Sequence, residues 1–290
     1  MKKLISILAG SLVLVIGLII VGYPFISNML MSMNADSEVQ NYLNTTSSAS
    51  ADTLNKELKK AQEYNKGLLG NVDLGDPFSQ QDNKKDNYYN ILNLEGNSVM
   101  ASLEIPSINV KLPVYHGTSS EVLEKGIGHM RNTSFPVGGK GTHSVLTGHT
   151  GASNFKIFTD LNKLKKGDKF YIYVLNQVLA YEVDNIAVVL PSDTSLLKID
   201  ENKDQVTLVT CTPYGVNSHR LLVRGKRIPY SAQEEKAEFD KTTESTYNEQ
   251  YIIAIAIGLG VMILILIVYF TLRAIIRKVR KSNVDEEKNN

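Results

Sequence analysis

Residues 205–225 read Gln205-Val206-Thr207-Leu208-Val209-Thr210-Cys211-Thr212-Pro213-Tyr214-Gly215-Val216-Asn217-Ser218-His219-Arg220-Leu221-Leu222-Val223-Arg224-Gly225. Residues 205–211 alternate as a half-buried strand does, a Pro-Tyr-Gly loop follows, and a second β-rich run begins at His219. If the two runs pair as a hairpin across residues 212–218, Cys211 and Arg220 flank the same open end. Successive residues of a strand point to opposite faces, so only one of His219 and Arg220 can share the face of Cys211. Arg220, Leu222 and Arg224 form one set; His219, Leu221 and Val223 form the other.

The same texture continues outward from the hairpin. Short β-rich runs occupy residues 99–105, 109–115, 143–148, 169–175 and 178–190, broken by Pro and Gly. Among them only residues 154–164 look helical. Many short strands with one or two helices predict a mainly β architecture, a barrel or a sandwich, over residues 99–229. Upstream, residues 51–66 place Leu54, Leu58 and Ala61 at helical spacing, with Ser50 and Asp52 as candidate caps. Residues 31–50 are polar and read as a spacer, so 25–66 is taken as spacer plus helix. Residues 67–98 are rich in Gly, Asn, Asp, Ser and Lys around Asp76-Pro77. They read as a long loop, of the kind that in compact domains is functional or disordered. Residues 230–250 are charged and read as a linker or an exposed helix.

The 290-residue chain has a mean hydropathy of −0.12, which hides two uncharged apolar runs, residues 4–22 and 252–271. Each matches the about 20 residues needed to cross a hydrocarbon core. The first exceeds the roughly 7–15 residues of a signal-peptide core, and no small-x-small site follows it closely, so it reads as an uncleaved anchor over 1–24. The second, with its flanks 251–272, is followed by a basic tail, 273–290. Lys2, Lys3, Arg273, Arg277, Lys278, Arg280 and Lys281 flank the outer ends, while residues 23–251 carry 23 Lys+Arg against 27 Asp+Glu. The positive-inside rule then places both termini in the cytoplasm and the middle outside a cell membrane crossed twice. The composition argues against a soluble cytoplasmic enzyme, and the mildly acidic middle against a nucleic-acid partner.

Cys211 is the chain's single cysteine. An exported chain either pairs its cysteines or drops them, so an unpaired thiol calls for explanation. The default is an inert buried thiol, but a strand end beside a Pro-Tyr-Gly loop is where rigid elements present chemistry. Arg220, by default a surface ion-pair partner, would here lower the thiol's pKa and hold a developing oxyanion. A cysteine nucleophile needs a proton partner. Of His116, His129, His143, His149 and His219, the best placed is His149, between glycines in Thr147-Gly148-His149-Thr150-Gly151. His143, on the same parity in the same strand, reads as a packed structural residue, and His116 and His129 read as weaker loop candidates. No HExxH or CxxC occurs, so neither a metal nor any other cofactor is expected. The glycines of 137–142 lack the spacing of a phosphate loop.

The stretch from Thr207-Leu208-Val209-Thr210-Cys211 to His219-Arg220 resembles the cysteine-to-arginine signature of sortases, in the form of class C, the pilus-assembly branch. Gly128-His129, Thr133-Ser134-Phe135-Pro136-Val137-Gly138-Gly139 and Thr142-His143-Ser144-Val145-Leu146-Thr147-Gly148-His149 resemble the same branch's histidine region. Likeness in detail covers roughly residues 90–229. It implies a sortase-type closed β-barrel with short helices, flanked by two transmembrane helices, in a Gram-positive cell. It also implies Cys211, His149 and Arg220 as catalytic residues. Such an enzyme cleaves a Leu-Pro-x-Thr-Gly-like sorting signal between Thr and Gly, holds the acyl group as a thioester, and passes it to a pilin lysine. Its partners would be pilins or surface proteins that carry the signal. A wall-anchoring sortase, using a cell-wall precursor amine, stays open as an alternative, as do a thiol peptidase and a tethered adhesin. Thr150 stands where many relatives carry Arg, and Phe135 where Leu is common, which bears on substrate detail. Class C enzymes also bear a lid with an Asp-Pro-aromatic motif, and Asp76-Pro77-Phe78 matches it. Asp76 is then expected beside Arg220, with Phe78 shielding Cys211.

Overall fold

A computed structural model describes residues 2–68, 74–79, 86–151 and 156–240, and scattered positions between 256 and 277. The chain divides into two compact units, residues 1–236 and 237–290, and the first holds all that follows. Eight strands close into a barrel in the order β1-β2-β3-β4-β7-β8-β6-β5. They are β1 (Val99–Ile105), β2 (Val110–His116), β3 (Ile127–His129), β4 (Thr142–Thr147), β5 (Lys169–Val174), β6 (Gln177–Val189), β7 (Asp204–Thr212) and β8 (His219–Ile228). Pairings are antiparallel except β2 with β3 and β4 with β7.

Alternation along the strands divides the apolar residues between two cores. Val206, Leu208, Leu146, Leu221, Val223, Phe170 and Tyr181 pack in the larger one. Gly225 is required there, because a Cβ would meet the Phe170 ring at 2.5 Å. The opposite face of β4, β7 and β8 supplies Val145, Val209 and Leu222 to a second, smaller cluster, the floor of a groove.

The helices differ from expectation in instructive ways. Residues 31–50, expected as a spacer, belong almost entirely to α1 (Lys2–Ser48), a continuous helix. Ala35, Val39, Tyr42 and Thr46 are buried at helical spacing, a stripe too narrow to stand out from a polar composition. The Tyr42 hydroxyl donates to the Met100 carbonyl and accepts from Leu175 N–H, both at 2.8 Å, fixing α1 to the barrel. The helix α2 (Ala51–Gly67) is capped by Ser50, whose hydroxyl accepts from Thr53 N–H. Asn65 on α2 both donates to and accepts from the backbone of Phe135.

The loop expected over 67–98 is not loose in its second half, where Tyr88, Tyr89, Ile91 and Leu92 are buried. The helix expected over 154–164 is a correction: its described part contains only the 3-10 turn Leu161–Lys163, since Ile157, Phe158 and Leu161 are all drawn inward. Sequence reading also misses β3 and α3 (Ser120–Lys125), both too short to show a period. At the linker, residues 232–240 are helical and Glu235 is buried, accepting from the Tyr230 and Tyr173 hydroxyls. Residues 241–250 lie outside the described residues. Among the described residues no helix is long and apolar enough to cross a membrane. The run 4–22 falls within α1, but most of its side chains, and much of the run 252–271, lie outside the description.

Candidate active site

The parallel pairing of β4 with β7 brings Thr147 opposite Val209. Two residues further along each chain stand His149 and Cys211, at the same end of the barrel. The hairpin of β7 with β8 pairs Cys211 directly with Arg220. Cross-strand partners project to one face, so the guanidinium and the thiol share it. His219 turns into the loop, where its Nδ1 meets Ser218 Oγ at 2.9 Å.

Local packing fixes the histidine. Gly148 N–H donates to Val209 C=O (3.0 Å), and the Thr210 hydroxyl donates to Gly148 C=O (2.6 Å). A Cβ on Gly148 would sit 2.7 Å from both Ile157 and the Phe158 ring. Phe158 N–H in turn donates to His149 C=O at 3.0 Å. The turn that carries His149 is thus clamped on one side to the strand of Cys211 and on the other to the 157–158 segment.

Residues 74–79 lie across this end. Asp76 Oδ1 and Oδ2 accept from Arg220 Nε and Nη2 at 2.9 and 2.7 Å, a bidentate pair. Arg220 Nη1 donates to the carbonyls of Asn217 and His219. Asp76 C=O accepts from Ser79 N–H, which folds the segment into a turn with Pro77 buried at its apex. Phe78 stacks on the His149 ring at 5.6 Å and lies 4.9 Å from the Arg220 guanidinium carbon. Phe78 therefore rests on the other two site residues. Leu74, buried, joins Phe78 in the groove cluster with Leu196 and Leu197. Sequence reading passes over Leu74; its spacing of four from Phe78 is the signal that could have found it.

Electrostatics follow from this cover. Burial raises the Cys211 pKa, Arg220 lowers it, and the Asp76 carboxylate raises it again. Burial lowers the His149 pKa, with Glu124 opposing. At neutral pH these directions leave Cys211 a thiol and His149 a neutral imidazole. Three other histidines are engaged elsewhere: His116 is bracketed by the Ser98 and Ile91 carbonyls, His129 by Tyr88 and Ser134, and His143 by Lys198 and Thr207. Phe135 is wholly buried in the aromatic cluster with Tyr88 and His129, away from the site. Burial holds the His129 pKa down at about 3 and that of His143 at about 4.

A closed barrel with a cysteine and an arginine paired across neighbouring strands, and a histidine on the adjoining strand end, defines a class that comparison with known proteins identifies. The sortase domain matches residues 103–228. The chain is 50% identical to the crystal structure of sortase C-1 from Actinomyces oris, covering 61% of this chain and 99% of that one at a TM-score of 0.58. It is 42% identical to sortase C of Streptococcus pneumoniae, covering 68% of this chain and 98% of that one at a TM-score of 0.63. The chain belongs to the sortase family, a family of cysteine transpeptidases. Among curated relatives it is 33% identical over 129 residues to sortase D of Bacillus subtilis, covering 43% of this chain and 62% of that protein's length.

Proposed function

We propose that the chain is a class C sortase: a membrane-held transpeptidase that cuts a Leu-Pro-x-Thr-Gly-like signal between Thr and Gly and transfers the acyl group to a pilin lysine. The observation that carries this reading is the cross-strand pairing of Cys211 with Arg220 beneath a segment that engages both Arg220 and His149. The similar S. pneumoniae sortase C is described in terms of pilin substrate specificity, which favours a pilin over a wall precursor as acceptor. The apolar runs 4–22 and 252–271, each with basic residues at its outer end, support two membrane anchors with the barrel outside and both termini in the cytoplasm.

In this reading Asp76, Pro77 and Phe78 form a lid, and its departure frees Arg220 and uncovers His149. Cys211 gives its proton to His149 and attacks, as thiolate, the carbonyl carbon of the signal's Thr. Arg220 donates to the carbonyl oxygen as it becomes an oxyanion. The C–N bond then breaks, His149 delivers a proton to the departing Gly amine, and a thioester remains on Cys211. A lysine amine attacks the thioester, gives its proton to His149, and expels the thiolate. An amide has replaced an amide, and no water is consumed.

The test incubates the full chain, in detergent and with Asp76→Ala to open the lid, with a sorting-signal peptide. Mass spectrometry should find an acyl adduct on Cys211 that clears when a pilin lysine peptide is added. No adduct sinks the transpeptidase reading; an adduct that clears only with a wall-precursor amine sinks the pilin acceptor.

A further inference from the structure

His143 is buried on β4 and stands two strand steps before Thr147, on the groove face of the sheet. Its Nδ1 lies 2.9 Å from the Lys198 carbonyl and its Nε2 lies 2.7 Å from the Thr207 hydroxyl. A carbonyl can only accept, so Nδ1 carries the proton and Nε2 accepts from Thr207 O–H. Burial keeps the ring neutral, with its pKa at about 4, as this tautomer requires.

The two partners belong to different parts of the groove. Thr207 is buried in β7, four residues before Cys211, on the same face. Lys198 ends the 3-10 turn Ser195–Leu197, in the loop between β6 and β7. That turn supplies Leu196 and Leu197 to the cluster that also holds Leu74 and Phe78 of the covering segment and Val145, Val209 and Leu222 of the floor. The turn is short, held by Leu197 N–H to Thr194 C=O and, at its start, by Ser195 N–H to Asp193 Oδ1. His143 ties its end to the floor, through the Lys198 carbonyl on one side and the Thr207 hydroxyl on the other.

We infer that His143 is a positioning residue that sets the width of the apolar groove, by holding the 195–197 wall at a fixed distance from β7. The inference rests on the reading of that groove as the place where the sorting signal's apolar side chain replaces Leu74 and Phe78. With the imidazole in place, the gap between Leu196 and Val209 is set by one ring and two hydrogen bonds rather than by a freely moving loop. The signal's apolar residue is then selected by size.

The experiment compares His143→Phe, which keeps a ring and removes both bonds, with His143→Asn, whose amide can still donate to Lys198, in the full chain carrying Asp76→Ala. Hydrogen exchange over residues 194–199 is read first and needs no substrate. His143→Phe should speed it about fivefold or more, the loss expected for one net hydrogen bond, and His143→Asn should restore much of the protection. With peptide, KM for a Leu-containing signal should rise about fivefold in His143→Phe while kcat and the alkylation rate of Cys211 stay within about twofold. The preference for Leu over Ala at that position should narrow. Unchanged exchange at 194–199 overturns the inference, whatever the activity. So does a fall in kcat and melting temperature together with unchanged KM, which is what a merely structural histidine gives. If the parent itself acylates no peptide, it is the proposed function that fails, and the exchange result still decides the tether.

Discussion

Asp76 and Arg220 form a bidentate ion pair, 2.9 and 2.7 Å, across 144 residues of chain, with side chains only 19% and 11% exposed. The pair sits directly beside Cys211, so the carboxylate that neutralises Arg220 also raises the pKa of the thiol. One contact therefore engages the Arg220 guanidinium and disfavours the Cys211 thiolate; in the proposed function that silences both the oxyanion donor and the nucleophile.

Asp76→Ala removes the carboxylate that raises the Cys211 pKa and leaves Arg220 to stabilise the thiolate. The pH profile of iodoacetamide alkylation should move to lower pH, and the rate at neutral pH should rise about threefold to tenfold. Phe78→Ala should raise the rate by access alone, without moving the profile. An unchanged alkylation rate in both variants would rule out a lid.

Arg220→Lys keeps the charge but loses the planar fork that meets Asp76. Acyl transfer should fall about a hundredfold, the range seen when one oxyanion donor is lost. Cys211 alkylation should fall much less, because a cation remains nearby. Equal losses in both assays would mean that Arg220 acts only on the thiol.

Gly148→Ala places a methyl 2.7 Å from Ile157 and Phe158. The side chains must yield or the His149 turn must move, at about 1–3 kcal/mol. Thermal melting should drop and peptide acylation should fall further than the melting shift explains, since the displaced residue is His149. Wild-type turnover in this variant would contradict the clamp.

Tyr42→Phe removes the hydroxyl shared by Met100 C=O and Leu175 N–H. Leu175 N–H is then left buried without its acceptor, a loss of about 1–3 kcal/mol. Chemical denaturation should show it as a lower midpoint at unchanged slope, which marks α1 as part of the barrel's fold.

His129 and His143 are buried neutral, with pKa values lowered to about 3 and about 4 from an unfolded value near 6.5. Between pH 6.5 and these values the unfolded chain binds more protons, so stability falls as pH falls. Each histidine should contribute a loss on the order of 1–2 kcal/mol by pH 5. Glu104 and Asp204, raised by burial, act in the opposite sense. A melting temperature that stays flat from pH 7 to pH 5 in the parent would show that the carboxylates win.

Local pattern was enough for much of this chain. Seven strands show themselves as short β-rich runs bounded by Pro and Gly, although β1 and β4 are buried on both faces. Cys211, His149 and Arg220 were legible because all three stand at strand ends beside Gly or Pro punctuation, where a side chain has few packing reasons to be there. Parity separated Arg220 from His219 without choosing between them, and the register puts Arg220 opposite Cys211.

Other features depend on residues far apart in the chain, and no local window contains them. β3 is three residues long and exists only because β2 and β4 offer it hydrogen bonds on both sides. The helix over residues 31–48 carries a buried stripe that packs on β1 and β2, with Tyr42 bonded to Met100 of β1 and to Leu175 just past β5. The groove wall at Ser195–Leu197, its tether to His143, and the meeting of Leu74 with Val209 are likewise decided by tertiary packing. The sequence by itself determined most of the strands and singled out Cys211, His149 and Arg220 as candidates, since period, parity and turn residues are local. Only the folded barrel decided which distant segments cover them, because burial and hydrogen-bond partners are properties of the closed sheet.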